Sequence, residues 1–61
     1  MEKREAMGRA LAMAYDVDPD IIPVNYVGNP PLPAWEIEAD TKGDVILRIL
    51  FYLGFELRQL P

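Results

Sequence analysis

The fold of this chain depends most on residues 44–53, which read DVILRILFYL. When this segment is placed on a helix at 100° per residue, its aliphatic residues and Phe51 cover an arc of about 240°, and Arg48 and Tyr52 fill the rest. A helix that packs on one neighbour needs an apolar stripe of little more than about 100°. The sequence therefore predicts a helix with excess apolar surface, which either the rest of the chain or another subunit covers.

The residues on either side of this segment predict where the helix begins and ends. Thr41, followed three residues later by Asp44, resembles a capping box and places the start at about residue 42. Gly54 suits the left-handed C′ position that follows the last helical residue, Leu53. Phe55 is then expected at C″, where an apolar side chain contacts the last turn. The predicted helix covers residues 42–53.

Three segments predict short β-strands. Residues 34–40, AWEIEAD, alternate apolar and acidic side chains with the period of two that is typical of a half-buried strand. Residues 24–27, VNYV, are rich in β-branched and aromatic residues, and Pro23 before them favours an edge position. Residues 55–59 alternate again. We expect the first two segments to pair antiparallel across the proline-rich loop 28–33.

Residues 2–14 predict an N-terminal helix, because they are rich in good helix formers. Its contact face is predicted to lie opposite Gly8 and Ala12 and to consist of small and apolar residues, namely Ala6, Met7, Ala10, Leu11, Met13 and Ala14. Together the elements predict a single α+β domain over residues 1–61. It has two layers, the order helix-strand-strand-helix-strand and a short antiparallel sheet.

Composition excludes several classes of function. The 61 residues include no Cys, His or Ser, and the net charge is −4. This excludes disulfides, thiolate nucleophiles, imidazole bases and the usual soft metal sites. Six basic residues against ten acidic ones leave no basic stripe for nucleic acid, and no segment is apolar for long enough to span a membrane. We predict a cytoplasmic protein with no catalytic residue, cofactor, metal ion or small-molecule substrate.

Two acidic triplets stand out in the middle of the sequence. Asp16, Asp18 and Asp20 resemble the opening of a calcium loop, but the glycine and the glutamate that such a loop needs are missing, so a capped turn is predicted. The second triplet lies on the predicted strand 34–40 and is expected to project from one face; it consists of Glu36, Glu38 and Asp40. That face either only solubilises the protein or binds the basic groove of a nucleic-acid-binding partner.

The proline-rich loop is flanked by residue types that are common in protein interfaces. Tyr26, Leu32 and Trp35 are candidates for the centre of a protein contact. Alternatively, the prolines only stiffen the connection, and Trp35 anchors the core.

The C-terminal part of the sequence resembles a known class of regulator. Residues 44–58, DVILRILFYLGFELR, look like the last helix and strand of some helix-turn-helix antitoxins, and residues 11–19 are similar to their turn. The resemblance implies an antitoxin-like or transcriptional-regulator module that dimerises through its second helix. It does not imply direct DNA binding, because no basic residue lies between Ile21 and Lys42.

These observations predict a small, acidic, non-enzymatic protein that acts by binding a protein partner or itself. A homo-oligomer is expected, with Leu47, Leu50 and Phe51 at the interface. The functional hypothesis is regulation or inhibition of a basic, nucleic-acid-binding partner. The alternatives are the regulator module described above and an accessory subunit of a larger enzyme or assembly.

Overall fold

Two long helical segments lie antiparallel to each other in the computed structural model, which describes residues 1–56. The first is helix α1, Lys3–Ala14, and residues 15–33 connect it to the second. The second, which we call the long helix, runs without a break through α2 (Ala34–Glu38), a π-helical turn (Ala39–Gly43) and α3 (Asp44–Leu53). Among these 56 residues, no helix has the length and hydropathy of a membrane span.

The predicted α+β fold is wrong, because residues 1–56 contain no β-strand. The segment predicted as strand 34–40 forms the start of the long helix. In place of the strand predicted at 24–27, residues 23–26 form a turn, in which the Tyr26 N–H donates to the Pro23 carbonyl (3.2 Å). Of the strand predicted at 55–59, Phe55 and Glu56 have no regular structure, and residues 57–59 lie outside the described part. Alanine and glutamate are depleted in strands, so their abundance in AWEIEAD favours the helix.

The predicted capping box at Thr41 is also wrong, because the helix begins at Ala34, eight residues before the predicted start at residue 42. The hydroxyl of Thr41 instead donates to the Ile37 carbonyl, four residues back (2.9 Å). This bond accommodates a threonine inside a helix. The Asp44 N–H donates to the Ala39 carbonyl, five residues back, which gives the π-helical turn its wider ring.

The core between the helices is built from small residues. The buried residues are Gly8 and Ala12 on α1 and, on the long helix, Ala34, Ala39 and Gly43. A Cβ atom at Gly8 would overlap the carbonyl oxygen of Trp35 and lie 3.1 Å from the Ala39 Cβ atom. The two backbones therefore touch at Gly8, and no large side chain is fully buried in the described part of the chain.

This arrangement reverses the predicted orientation of α1. Gly8 and Ala12, expected to face away from the contact, form it, whereas Met13, Ala10 and Ala14 are exposed. The reason is the close approach of the backbones, which the smallest residues permit and the larger apolar ones do not. The predicted helical boundaries of α1, residues 2–14, agree with the structure to within one residue.

Ion pairs fix the relative position of the two helices and the connection. The Arg4 guanidinium pairs with Asp44 (3.1 Å) and also with Asp40, both on the long helix. The Arg9 guanidinium pairs with Asp20 in the connection (2.9 Å). The connection also satisfies the first N–H groups of α2, because the carbonyls of Ile21 and Pro19 accept from Ala34 (2.8 Å) and Trp35 (3.0 Å), respectively.

Both helical segments end in a Schellman motif. At the end of α3, Gly54 has φ +80°, and the Phe55 N–H donates to the Leu50 carbonyl (2.9 Å), which confirms the predicted C-terminus. At the end of α1 the left-handed position is held by Asp16, with φ +59°. The Val17 N–H donates there to the Ala12 carbonyl (2.9 Å). An aspartate therefore occupies a backbone position that favours glycine.

Replacing Asp16 by Gly is expected to raise the free energy of unfolding by about 0.5–1 kcal/mol, because glycine adopts the left-handed conformation without a steric penalty. Replacing it by Ala is expected to lower this free energy, since alanine has the Cβ penalty and no polar side chain to offset it. Urea unfolding of the two variants at one protein concentration measures both changes. A Gly variant less stable than the Ala variant would contradict the assignment.

Candidate functional site

Helix α3 is the least covered helix of the described structure. None of its ten residues is buried. Val45, Ile49 and Leu53 are 59%, 51% and 65% exposed, and Phe51 and Tyr52 are 77% and 78% exposed. α1 begins at Lys3, opposite the start of α3, so the rest of α3 projects beyond it. The exposed apolar residues of α3 make this helix a candidate interaction surface.

Four exposed apolar residues of α3 form a stripe along one side of the helix, and Phe51, which is 77% exposed, lies on another side. At 100° per residue, the four residues that we call the exposed stripe lie within an arc of about 100°; they are Val45, Ile49, Tyr52 and Leu53. Val45, Ile49 and Tyr52 follow one another at spacings of four and three, which is the spacing of a helix–helix seam. Ile49 lies near the middle of the stripe, both along the helix axis and around it.

A second apolar surface lies on another side of α3. Lys3, from α1, and five residues of the C-terminal part border a shallow hollow of about 300 Å³; the five are Leu47, Leu50, Phe51, Phe55 and Glu56. Phe55 lies in it with Leu50 and Phe51, as predicted for a C″ residue that contacts the last turn. Leu47 and Leu50, two of the predicted interface residues, are half-buried there, and the third, Phe51, is exposed.

The sequence therefore predicted the uncovered helix, whereas two of its three interface candidates, Leu47 and Leu50, lie on the half-buried side. Val45, Ile49 and Leu53 are part of the predicted apolar arc, and Tyr52 was assigned to the polar remainder. The 240° arc was the available signal, since no apolar helix contact inside this short chain covers so much. Which part of the arc stays exposed depends on where α1 lies.

The aromatic and apolar candidates near the proline-rich loop do not form a shared surface with α3. Tyr26, Leu32 and Trp35 are each half-buried. Trp35 occupies the first turn of α2, and the Arg9 guanidinium lies 5.6 Å from its ring centroid, a cation–π distance. A second hollow, of about 230 Å³, lies between the end of α1, the connection and α2, and its apolar lining includes Tyr15, Val17, Ile21 and Ile37.

The acidic residues of the predicted strand do not share one face. On a helix, residues two apart point about 200° away from each other, so Glu38 points away from Glu36 and Asp40. Glu38 accepts a hydrogen bond from the Lys42 ammonium (2.7 Å), and Asp40 pairs with Arg4. The predicted row of carboxylates for a basic partner is therefore absent, and two of its three members are engaged inside the chain.

Two aspartates of the first triplet, Asp18 and Asp20, make contacts that stabilise the connection. The Asp18 carboxylate accepts the Asp20 N–H (3.0 Å), and Asp20 pairs with Arg9. Arg9 also pairs with Glu5, one turn earlier on α1 (2.8 Å). Among residues 1–56 no group of three or more acidic side chains is arranged to hold a metal ion.

The ionised forms of two basic side chains are favoured by these contacts. The hydrogen bond from Lys42 to Glu38 raises the pKa of Lys42, and partial desolvation opposes this effect. Hydrogen bonds to Glu5 and then Asp20 raise the pKa of Arg9 in the same way. The Arg9 contacts hold the connection against α1, and the contact of Lys42 with Glu38 lies within the long helix.

No protein-family model matches this chain, and no curated protein or solved structure is detectably similar to it.

Proposed function

We propose that this chain is a non-enzymatic protein-binding module whose contact surface is helix α3. One observation carries the proposal: none of the ten residues of α3 is buried, although all but Asp44 and Arg48 are aliphatic or aromatic. Such a helix is unfavourable in water and is typical of a surface that a protein partner covers.

The thin core of the described chain supports this proposal. The buried apolar residues are Ala12, Ala34 and Ala39, which contribute little hydrophobic free energy. Covering a Leu, Ile, Val or Phe side chain contributes about 1.5–3 kcal/mol, so the exposed residues of α3 are the largest unused source of stability in this structure. Domains near 60 residues are marginally stable, and a bound partner raises their stability by mass action.

The charge distribution favours a partner that contacts α3 through apolar groups. Between Val45 and Phe55 there is one basic residue, Arg48, and no acidic one, whereas residues 15–44 carry a net charge of −6. The hypothesis of a basic, nucleic-acid-binding partner is not carried forward, because the carboxylate row on which it depended does not form. We assign the protein to the cytoplasm as part of the proposal, since its sequence contains no cysteine.

Photo-cross-linking in cells of the native host tests the proposal. A benzophenone amino acid placed at Tyr52 keeps an aromatic ring in the exposed stripe and reacts with whatever lies against it. We expect a discrete protein adduct from this position. The matched control carries the same group at Met13, which is 64% exposed on the outer side of α1.

Adducts that form at Tyr52 and not at Met13 would support α3 as the contact surface. If the two positions give the same pattern, or neither gives an adduct with a protein, the proposed function is wrong. The mass of the adduct identifies the kind of partner, because an adduct at twice the mass of the chain is a homodimer.

A further inference from the structure

We infer that the partner of α3 is a second copy of this chain, and that the two α3 helices pack antiparallel with Ile49 at the two-fold axis. The inference rests on the proposed function and names the partner of that same surface. It depends on three properties of the chain: its excess surface area, the symmetry of the exposed stripe and the distribution of charge.

The chain exposes more surface than a compact monomer of its size. A folded monomer of 6.9 kDa is expected to expose about 4,000 Å², whereas this chain exposes 4885 Å². Side chains of α3 contribute to the difference of about 900 Å² together with Val24 and Val27 of the connection, and the excess leaves room for an interface in which each partner buries roughly 800 Å². The radius of gyration, 12.1 Å, likewise exceeds the roughly 10.5 Å of a compact chain of this length.

The exposed stripe is complementary to itself. In an antiparallel pair centred on Ile49, Val45 of one chain faces Leu53 of the other at both ends of the contact. A two-fold contact requires such a self-complementary patch, because each residue must fit its symmetry-related counterpart. Apolar residues at spacings of four and three along α3 provide the regular seam that two packed helices share.

Charge decides between the antiparallel and the parallel pair. Residues 15–44, with their net charge of −6, lie at the N-terminal end of α3. In a parallel pair these acidic segments would lie side by side. In an antiparallel pair they lie at opposite ends of a helix of about 15 Å, which is longer than the screening length of about 8 Å at physiological ionic strength. The antiparallel pair also aligns the helix dipoles favourably.

The mass in solution is the first test. Light scattering at about 100 µM is expected to give twice 6.9 kDa for the wild-type chain. Ile49→Glu places a charge at the two-fold axis and is expected to weaken the dimer at least about 100-fold. Phe51→Glu is the matched control, since Phe51 is at least as exposed but lies on another side of α3, and the dimer is expected to persist. Equal loss of the dimer in both variants would overturn the seam.

Disulfide trapping tests the same geometry with milder substitutions, and the chain has no cysteine of its own. Ile49→Cys is expected to form an intermolecular disulfide rapidly under air, and Phe51→Cys only slowly, because a disulfide needs Cβ atoms about 3.5–4.5 Å apart. A mixture of Val45→Cys and Leu53→Cys chains is expected to give mainly the mixed disulfide. Predominant pairing of Val45→Cys with itself would overturn the antiparallel arrangement.

A wild-type chain that is monomeric at about 100 µM overturns the inference. Flotation of that monomer with phosphatidylcholine vesicles would assign the exposed stripe to a lipid surface instead. If this monomeric chain is cross-linked from Tyr52 to a different protein in cells, the partner is not a second copy of the chain, and the proposed function stands. If the chain is a dimer in solution but Tyr52 gives no cross-link in cells, the proposed contact through α3 is wrong, because the interface must then lie elsewhere on the chain.

Discussion

Replacing Gly8 by Ala is expected to lower the free energy of unfolding by about 2–3 kcal/mol, a large fraction of the total for a chain of 61 residues. The added Cβ atom would overlap the carbonyl oxygen of Trp35, a backbone atom that can move only if the two helices separate. Separation would loosen the contact of Gly8 with Ala39. The intrinsic preference of alanine for helices, about 1 kcal/mol over glycine, offsets only part of this loss.

Gly43→Ala is the matched control, because Gly43 is also a buried glycine in a helical segment. Its added Cβ atom would lie 3.3 Å from the Met7 Cγ atom, and the flexible Met7 side chain can move away. We expect unchanged or slightly increased stability for this variant. Urea unfolding followed by far-ultraviolet circular dichroism, at one protein concentration, compares the two. If Gly8→Ala is as stable as the wild type, the close contact of the helices is wrong.

The sequence predicted the helices better where the relevant signal was local. Helix α1 and the C-terminal end of α3 were predicted to within one residue, since helix propensity and a left-handed glycine depend on a few neighbouring residues. The segment 34–40 was misassigned because seven residues are too few to separate a period of two from one of 3.6. Thr41 and Asp44 then looked like a capping box at a helix start, although both lie inside the long helix.

The exposed surface of α3 was predicted only in part, for a physical reason. The apolar arc indicated that some of the helix would lack an intramolecular partner, but its location depends on tertiary contacts. Those contacts are set by Gly8 and Ala12, which carry almost no hydrophobic signal and so looked like the outer face of α1. A row of small residues becomes informative only when a matching row, here Ala34, Ala39 and Gly43, is considered with it.

Trp35→Ala is the second substitution with a large expected effect, and it decides between the two roles that the sequence left open for this residue. We expect the free energy of unfolding to fall by about 2–3 kcal/mol. This is less than the 3–5 kcal/mol typical of a fully buried aromatic side chain, because the Trp35 ring is half-exposed. Loss of the contact with the Arg9 guanidinium contributes about 0.5–1 kcal/mol of the total.

Two further variants separate packing from partner binding at this position. Trp35→Phe keeps an aromatic ring against α1. Its free energy of unfolding, measured by urea unfolding, is expected to fall by less than half as much as that of Trp35→Ala. Arg9→Met is expected to reproduce the cation–π part of the loss together with that of the ion pairs to Glu5 and Asp20. In both variants the dimer mass is expected to persist, because Trp35 lies on α2 and not on the exposed stripe.

A Trp35→Ala protein with wild-type stability and a monomeric mass would instead assign the indole ring to the interface, since only a side chain outside the core can be removed without destabilising the fold.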